Sequence, residues 1–326
     1  MSLRRRLLCL LSDGEHHSGE ALGAALGVSR MAVWKHIKAL HELGIDISVH
    51  RGKGYRLPAT LELLERECIL AATTSSSAKA ISDIHVHLEV DSTNNWIREV
   101  ALNGAASGTV CVAEMQSAGR GRRGRTWVSP FAASLYMSLL WRSNCGAAAL
   151  GGLSLVTGIA ILRALQSLGI EGAGLKWPND VLAGTEKLAG VLIDVIGESS
   201  GPCALIVGVG INMNMPGEAA HAIDQSWTDL HRLDGDSALS RNELAGRVLS
   251  ELIPVMELFE REGLQPFLDD WHRHDLVSGQ RVDLLLPNEQ ISGTACGIDD
   301  GGALLVNTRD GRRRFLSGDV SLRVAP

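Results

Sequence analysis

Residues 119–130 read Gly-Arg-Gly-Arg-Arg-Gly-Arg-Thr-Trp-Val-Ser-Pro. Gly119, Gly121 and Gly124 satisfy the GxGxxG pattern. A dinucleotide-binding turn must also open a helix and meet an acidic residue about 20 positions on. Here the run leads through Trp127 and Pro130 to Ser134-Leu-Tyr-Met-Ser-Leu-Leu-Trp141, an alternating strand pattern, with no acidic residue at that distance. The Gly-Lys-Ser/Thr end of a Walker A loop is missing too. What remains is a glycine-rich loop carrying Arg120, Arg122, Arg123 and Arg125, and guanidinium forks suit phosphate oxygens. Such crowded like charges repel, so the loop is expected to be mobile and to order around an anionic ligand.

The flanks read as alternating strands and helices. Residues 85–90 (HVHLEV) alternate like a strand, and Asp91-Ser-Thr-Asn94 opens a helix, NWIREVALNG. A helix N-terminus offers unpaired N–H groups and positive potential, so hydroxyls and an amide there can hold a small polar ligand or simply cap. Residues 109–115 form a strand, followed by Gln116. Ser143–Leu162 is uncharged but rich in Gly, Ala and Ser, which favours a buried core helix over a membrane span. Trp177 precedes proline and is extended, and Pro178-Asn179-Asp180 is a turn. Val181-Leu182 and Lys187–Val195 make a hairpin with Lys187 at its mouth and Gly190 mid-strand, where a glycine admits another backbone or a ligand. Cys203–Asn214 is a further buried strand. Ser240 and Glu243 form a capping box for a helix to about residue 262. From about Ser278 the segments RVDLLL, QISGTACGI, GALLVN and RRRFLSGDVSLRV, separated by Asp/Gly turns, predict a small all-β barrel.

The front of the chain differs in charge. Overall there are 31 Lys+Arg against 37 Asp+Glu. Residues 1–57 hold nine against five, with five histidines, leaving 22 against 32 for the rest. A basic module ahead of an acidic body suits an anionic partner. Residues 3–11 read as an amphipathic helix. Ser18 caps a helix with Leu22, Ala25 and Leu26 inward, Gly27 turns, and Ser29 caps a second helix bearing Val33, Ile37, Leu40 and Leu43. That is a helix-turn-helix pattern. Its outer face offers Arg30, Met31, Trp34, Lys35 and Lys38 to a major groove. Residues 46–57 read as a β-wing whose Arg51, Lys53 and Arg56 can neutralise phosphates.

The length of 326 residues, 45% hydrophobic and 21% charged, fits two or three globular domains and excludes a disordered or fibrous chain. Six scattered cysteines give neither a disulfide framework nor a metal cluster and suit a reducing cytoplasm. Five apolar residues after Arg6 are too few for a signal peptide.

Four runs, DSTN at 91–94, GRGRRGR at 119–125, KWPND at 176–180 and KLAG at 187–190, together resemble the motifs of the biotin–protein ligases. With the GKGY wing at 52–55 and the tail barrel, the likeness covers nearly the whole chain, in order. It extends to the bifunctional form whose winged helix also represses the biotin operon. The resemblance implies an α+β architecture. A winged helix-turn-helix (1–62) would precede a central mixed α/β, class II synthetase-like ligase domain (63–275) and an SH3-like β-barrel (276–326). It implies that biotin and Mg-ATP give biotinyl-5′-adenylate and pyrophosphate, after which biotin passes to a lysine of a biotin carboxyl carrier protein.

By the same resemblance, Ser92, Thr93, Asn94, Gln116, Arg120, Gly121 and Arg122 bind biotin, with Gly190 walling its rings. Lys187 sits beside the carboxylate and α-phosphate. Lys187, Arg122 and Asp180 carry the catalysis. Arg120, Arg122 and Arg125 clamp phosphates, Trp127 closes over adenine, and Lys176, Asn179 and Asp180 face the nucleotide; Arg323 assists ATP binding. DNA contacts fall to Arg30, Met31, Trp34, Lys35, Lys38, Arg51 and Lys53. Magnesium would come with ATP, and no resident metal is expected. The adenylate would act as corepressor, with an adenylate-bound homodimer on operator DNA and no membrane partner. Three rival readings are a lipoate–protein ligase, a regulator without ligase activity, and a ligase with an inert front module.

Overall fold

A computed structural model describes residues 2–146, 150–198, 201–235, 239–286, 289–316 and 321–324. The chain opens with α1 (Leu3–Leu11), α2 (Gly19–Leu26), α3 (Arg30–His41), β1 (Ser48–His50) and β2 (Gly54–Arg56). Ser18 and Ser29 cap α2 and α3 by accepting from Ala21 N and Ala32 N, and Gly27 turns between them at φ 72°. The inner face of α2 is Leu22, Gly23 and Leu26. Ala25, expected inside, is exposed, because Gly23 takes the close approach to the Val28 carbonyl. The β1–β2 ribbon is the wing. These elements bury an apolar cluster of their own, from Leu7 to Leu63, with Leu88 and Phe131 of the body packed at its edge.

The body contains α4 (Arg66–Ala72), α5 (Ser75–Ala78), β3 (Asp83–His87), α6 (Thr93–Leu102), β4 (Thr109–Ala113), β5 (Ser134–Ser143) and α7 (Leu153–Ser167). It continues with β6 (Ala173–Lys176), β7 (Asp180–Ala183), β8 (Glu186–Gly197), β9 (Cys203–Asn212), α8 (Gly217–Ala220), α9 (Leu230–Asp234), α10 (Arg241–Glu262) and α11 (Leu268–His274). Seven strands form one sheet in the order β3-β4-β5-β9-β8-β7-β6, with β3 and β4 parallel and the others antiparallel. Alternation sorts side chains to the two faces. Val110, Met137, Leu139, Leu205 and Val207 meet α7 and α10 in the main core. Cys111, Leu140, Ala204 and Ile206 meet α6 on the other face.

Three expected segments shift. The strand expected over 85–90 is β3, ending at His87, where pairing with β4 runs out; Val90 makes only an isolated bridge to Gln116. The uncharged run 143–162 is not one helix. Ser143 ends β5, and α7 starts at Leu153, after Gly152 at φ 90°; residues 147–149 lie outside the described residues. The final tail run divides into two strands.

The tail holds β10 (Arg281–Leu285), β11 (Gln290–Ile298), β12 (Leu304–Thr308), β13 (Gly311–Phe315) and β14 (Ser321–Val324), an antiparallel sheet ordered β13-β12-β11-β10-β14. Val282, Leu284, Leu304, Val306 and Phe315 belong to the main core rather than to a separate one. Trp177 Nε1 donates to Gly302 O at 3.1 Å across this joint.

The front module joins the body differently. Glu62 accepts from Arg241 N (2.6 Å) and Asn242 Nδ2 (2.8 Å) at the start of α10. Leu64 N donates to Glu114 at 2.7 Å, and Glu65 N to Asn242 Oδ1 at 2.7 Å. Glu114, fully buried, forms an ion pair of 2.7 Å with the nearly buried Arg241. Arg5 of α1 donates to Leu64 O.

Candidate functional site

The site lies on the α6 face of the sheet. Strand alternation turns Ser138 of β5 to that face, beneath the first turn of α6. Ser92, Thr93 and Asn94 are all nearly buried there. Thr93 donates from both N (2.9 Å) and Oγ1 (3.2 Å) to Gln116 Oε1, and Gln116 Nε2 donates to Ser129 Oγ at 2.9 Å. Ser138 Oγ lies 2.7 Å from Thr93 Oγ1 and 2.6 Å from Asn94 Oδ1. Asn94 Nδ2 reaches Asp194 Oδ2 at 3.2 Å. Ser92 caps α6 by position without a side-chain cap bond. These hydroxyls and amides form one hydrogen-bonded cluster able to match both donors and acceptors of a small neutral polar group.

The arginine loop follows a path held by its own backbone. Arg120 bridges Thr126, Gly121 N donates to Arg125 O at 2.7 Å, and Trp127 N donates to Gly119 O at 2.9 Å. Gly119 is required here, because an added Cβ would lie 2.3 Å from Trp127 O. The charges are spread among separate partners, which relieves the repulsion inferred from sequence. Arg120 pairs with Asp194 (2.8 Å) and donates to Asn95 Oδ1 (2.9 Å). Arg122 donates to Asn179 Oδ1 at 3.2 Å. Arg123, at φ 56°, donates to Leu285 O of the tail sheet at 3.2 Å. Burial pulls the Arg122 guanidinium below its ordinary pKa, partly countered by Asp180; it stays charged.

Opposite the loop, the KWPND turn and the β7–β8 hairpin bring a second set together. Lys187 Nζ and Asp180 Oδ1 form an ion pair of 2.7 Å, both side chains about 15% exposed. Asn179 Nδ2 donates to Val191 O at 2.7 Å, which fixes its carbonyl towards Arg122. Lys176 sits opposite Asp180 in register. The Trp177–Pro178 peptide is cis. Trp127 lies flat on two glycines: a Cβ at Gly210 would come within 2.7 Å of the indole, and one at Gly190 within 3.0 Å. Lys187 Nζ stands 5.3 Å from its ring centre, and the indole N–H is buried without a protein acceptor.

Residues 117–126, 150–154 and 191–195 line a single cleft of about 860 Å³. It is large enough for a nucleotide-sized ligand.

The structure thus gathers the expected residues into two adjoining groups. The first is Ser92, Thr93, Asn94, Gln116 and Arg120 with Gly121; the second is Arg122, Lys176, Asn179, Asp180, Lys187, Gly190 and Trp127. Arg125 borders the cleft. The backbone of Arg323 pairs with Asp283, and its side chain lies outside the described residues. Ser138, Asp194, Ser129 and Gly210 were not singled out from sequence. Ser138 carried a usable signal as a serine inside the otherwise apolar run 135–141. Residues 226–228 were missed too: Lys187 N donates to Ser226 O and Thr228 N to Lys187 O, both at 3.0 Å, beside Trp227. Outside the cleft lining, Arg30, Met31, Trp34, Lys35 and Lys38 lie exposed on α3, and Arg51 and Lys53 on the wing turn. Among the described residues, no helix is long and apolar enough to cross a membrane, and no cluster of three His, Cys, Asp or Glu could hold a metal.

Three family models match the chain. They are an HTH domain over residues 3–56, the biotin/lipoate A/B protein ligase family over 88–212, and the biotin protein ligase C terminal domain over 277–323. The bifunctional ligase/repressor BirA of Escherichia coli is 40% identical over 98% of this chain and 97% of its own length. Its Bacillus subtilis namesake is 31% identical over 98% and 99%. The biotin protein ligase from Aquifex aeolicus in complex with biotin and ATP superimposes with a TM-score of 0.64 at 31% identity, covering 75% of this chain and all of that one.

Proposed function

The chain belongs to the biotin–protein ligase family in its bifunctional ligase/repressor form, and from that premise we propose how its residues divide the work. The protein is an ATP-dependent biotin–[acetyl-CoA-carboxylase] ligase. It converts biotin and ATP to biotinyl-5′-adenylate and pyrophosphate, then acylates a lysine of a biotin carboxyl carrier protein. Its winged helix makes it also a biotin-operon repressor. The domain limits we assign are 1–62, 63–275 and 276–326.

The observation carrying the ligase reading is the juxtaposition of the neutral Thr93–Gln116–Ser138 cluster with the Lys187–Asp180 pair and the arginine loop. A ureido ring is small, neutral and both donor and acceptor. Ser92, Thr93, Asn94 and Gln116 match it, with backbone at Arg120–Arg122, and Gly190 serves the wall through the Trp127 indole that lies on it. The reaction brings a carboxylate against a triphosphate, so the chain must supply positive charge at the collision. Lys187 holds the carboxylate and α-phosphate oxygens. Arg120, Arg122 and Arg125 take the remaining phosphates, so Arg120 must give up Asp194 to do so. Asp180 aims Lys187 through their ion pair, Asn179 orients Arg122, Lys176 adds charge at the turn, and Trp127 stacks on the base. Arg323 is assigned a minor part in ATP binding.

Magnesium enters as Mg-ATP, a form that needs only one or two protein carboxylates; Asp180 fits that part. With the adenylate bound, the loop and the adjoining strand β8 become a two-fold pairing surface, so the adenylate serves as corepressor and enzyme and repressor roles compete. The shared lining of the cleft by residues 117–126 and 191–195 supports this coupling. Operator contacts fall to Arg30, Met31, Trp34, Lys35, Lys38, Arg51 and Lys53, and six free cysteines support a cytoplasmic setting.

Biotin-dependent ATP/pyrophosphate exchange, and labelled-biotin transfer to a carrier domain, test the assignment. Lys187→Ala should slow exchange on the order of 100-fold. Undiminished exchange would remove Lys187 from the chemistry, and exchange stimulated by lipoate but not biotin would reassign the substrate.

A further inference from the structure

All seven tryptophans fall within the described residues, and only Trp34 is exposed, at 52%. It stands on α3 one turn from Met31, which is 70% exposed. Residues three apart on a helix share a face. Both side chains lie in the first half of α3, the part of a recognition helix that reaches base edges. Arg30, Lys35 and Lys38, all exposed, flank them along α3, so cationic side chains border an apolar centre. Folding alone gives no reason for that centre: the helix already buries Val33, Ile37 and Leu40 on its opposite face.

A cationic rim fits phosphates. Of the groups on a major-groove floor, only the thymine 5-methyl is apolar. We infer that Met31 and Trp34 read thymine methyl groups, so that this chain selects its operator by apolar contact at the centre of each half-site. The inference rests on the DNA-binding reading above. Neither side chain offers a bidentate hydrogen bond to a purine, so discrimination at those positions comes from methyl burial and from exclusion of bulkier or polar edges. Lys35 and Lys38 then position the helix on the backbone without reading sequence.

The experiment uses the full chain with biotin, Mg-ATP and a random-sequence DNA pool. The enriched sequence is then remade with each thymine replaced in turn by deoxyuridine, which removes only the methyl. At one base position per half-site, the substitution should weaken binding about fourfold per methyl, or about fifteenfold for a two-fold site. Trp34→Ala should lose a similar factor on thymine DNA and show no further loss on deoxyuridine DNA, while Trp34→Phe recovers part. Thermal melting checks that each variant is folded.

Equal binding of thymine and deoxyuridine probes by the unaltered chain would overturn the inference alone. So would a methyl effect that survives unchanged in Trp34→Ala. A Trp34→Ala change in oligomeric state without DNA, with methyl-blind binding, would assign the patch to a protein contact instead. Absence of any enriched sequence would sink the DNA-binding reading itself, and this inference with it.

Discussion

The winged helix keeps its apolar core to itself and meets the body at Leu88 and Phe131. The tail sheet instead sinks Val282, Leu284, Leu304 and Phe315 into the core that also holds α7 and α10. Between front and body run directional bonds: the Glu62 carboxylate on the start of α10, and Arg5 on the Leu64 carbonyl, beside the body's own Glu114–Arg241 pair. Between tail and body runs continuous hydrophobic contact. An apolar joint is non-directional and costly to open. A joint of a few charge-assisted bonds fixes one orientation while burying little area. The tail is therefore a permanent part of the enzyme, and the front is an oriented attachment.

Deletion makes the largest break in that contrast. Removing residues 277–326 strips one side of the main core, and the remainder should show no cooperative unfolding transition in urea. Removing residues 1–60 leaves Glu62–Glu65 in place, and should abolish DNA binding while biotin transfer stays within about threefold of the full chain. A truncated front that lost ligation while still folding would show that the winged helix supports the active site directly.

Next comes the ion pair of the body that carries the joint, since Leu64 N bonds to Glu114 and Glu62 accepts from Arg241 N. Glu114→Ala or Arg241→Ala strips a buried group of its ion-pair partner, at a cost of about 3–5 kcal/mol, read from chemical denaturation. Replacing both together with Leu and Met should cost clearly less than the sum of the single changes. Strict additivity would mean that the two groups do not act as a pair.

The smallest effect falls within the body, as a baseline for the charge pairs at the front joint. Asp270 of α11 is held below the usual carboxylate range by the hydrogen bond from Arg163 of α7, with smaller help from Arg163 and Arg273 charges outweighing its partial burial. A depressed carboxyl stabilises the fold above the unfolded value of about 3.9 and loses that stabilisation as pH falls through its lower folded value. Both groups are partly exposed, so Asp270→Asn should cost under about 1 kcal/mol at pH 7. The cost should vanish in acid. Melting at pH 7 and at pH 3 would separate this from a pH-independent packing loss.

Local signals carried much of this structure into the sequence. Ser18, Gly27 and Ser29 marked the helix limits of the front module because caps and turns depend on residues nearby. Lys187 and Gly190 were placed on their hairpin for the same reason. What stayed hidden depends on pairing between distant positions. Asp194 gains its meaning from Arg120, 74 residues away. Glu114 lies 50 residues from Leu64 in sequence. Ser138 becomes part of the ligand cluster only when β5 takes its place under α6. The onset of α7 was misread because hydrophobicity and lack of charge do not separate a strand end and turn from a helix; Gly152 at positive φ was the local clue.

Pro58, Ala59 and Thr60 are exposed and outside any helix or strand, while the chain from Glu62 onward is stapled to α10. A recombination event ending at codon 60 would exchange one operator reader for another and leave the bonds of Glu62, Leu64 N and Glu65 N to the body in place. The junction is thus a natural graft point: a lineage could rewire which genes answer to biotin, or discard that control, while inheriting the catalyst intact.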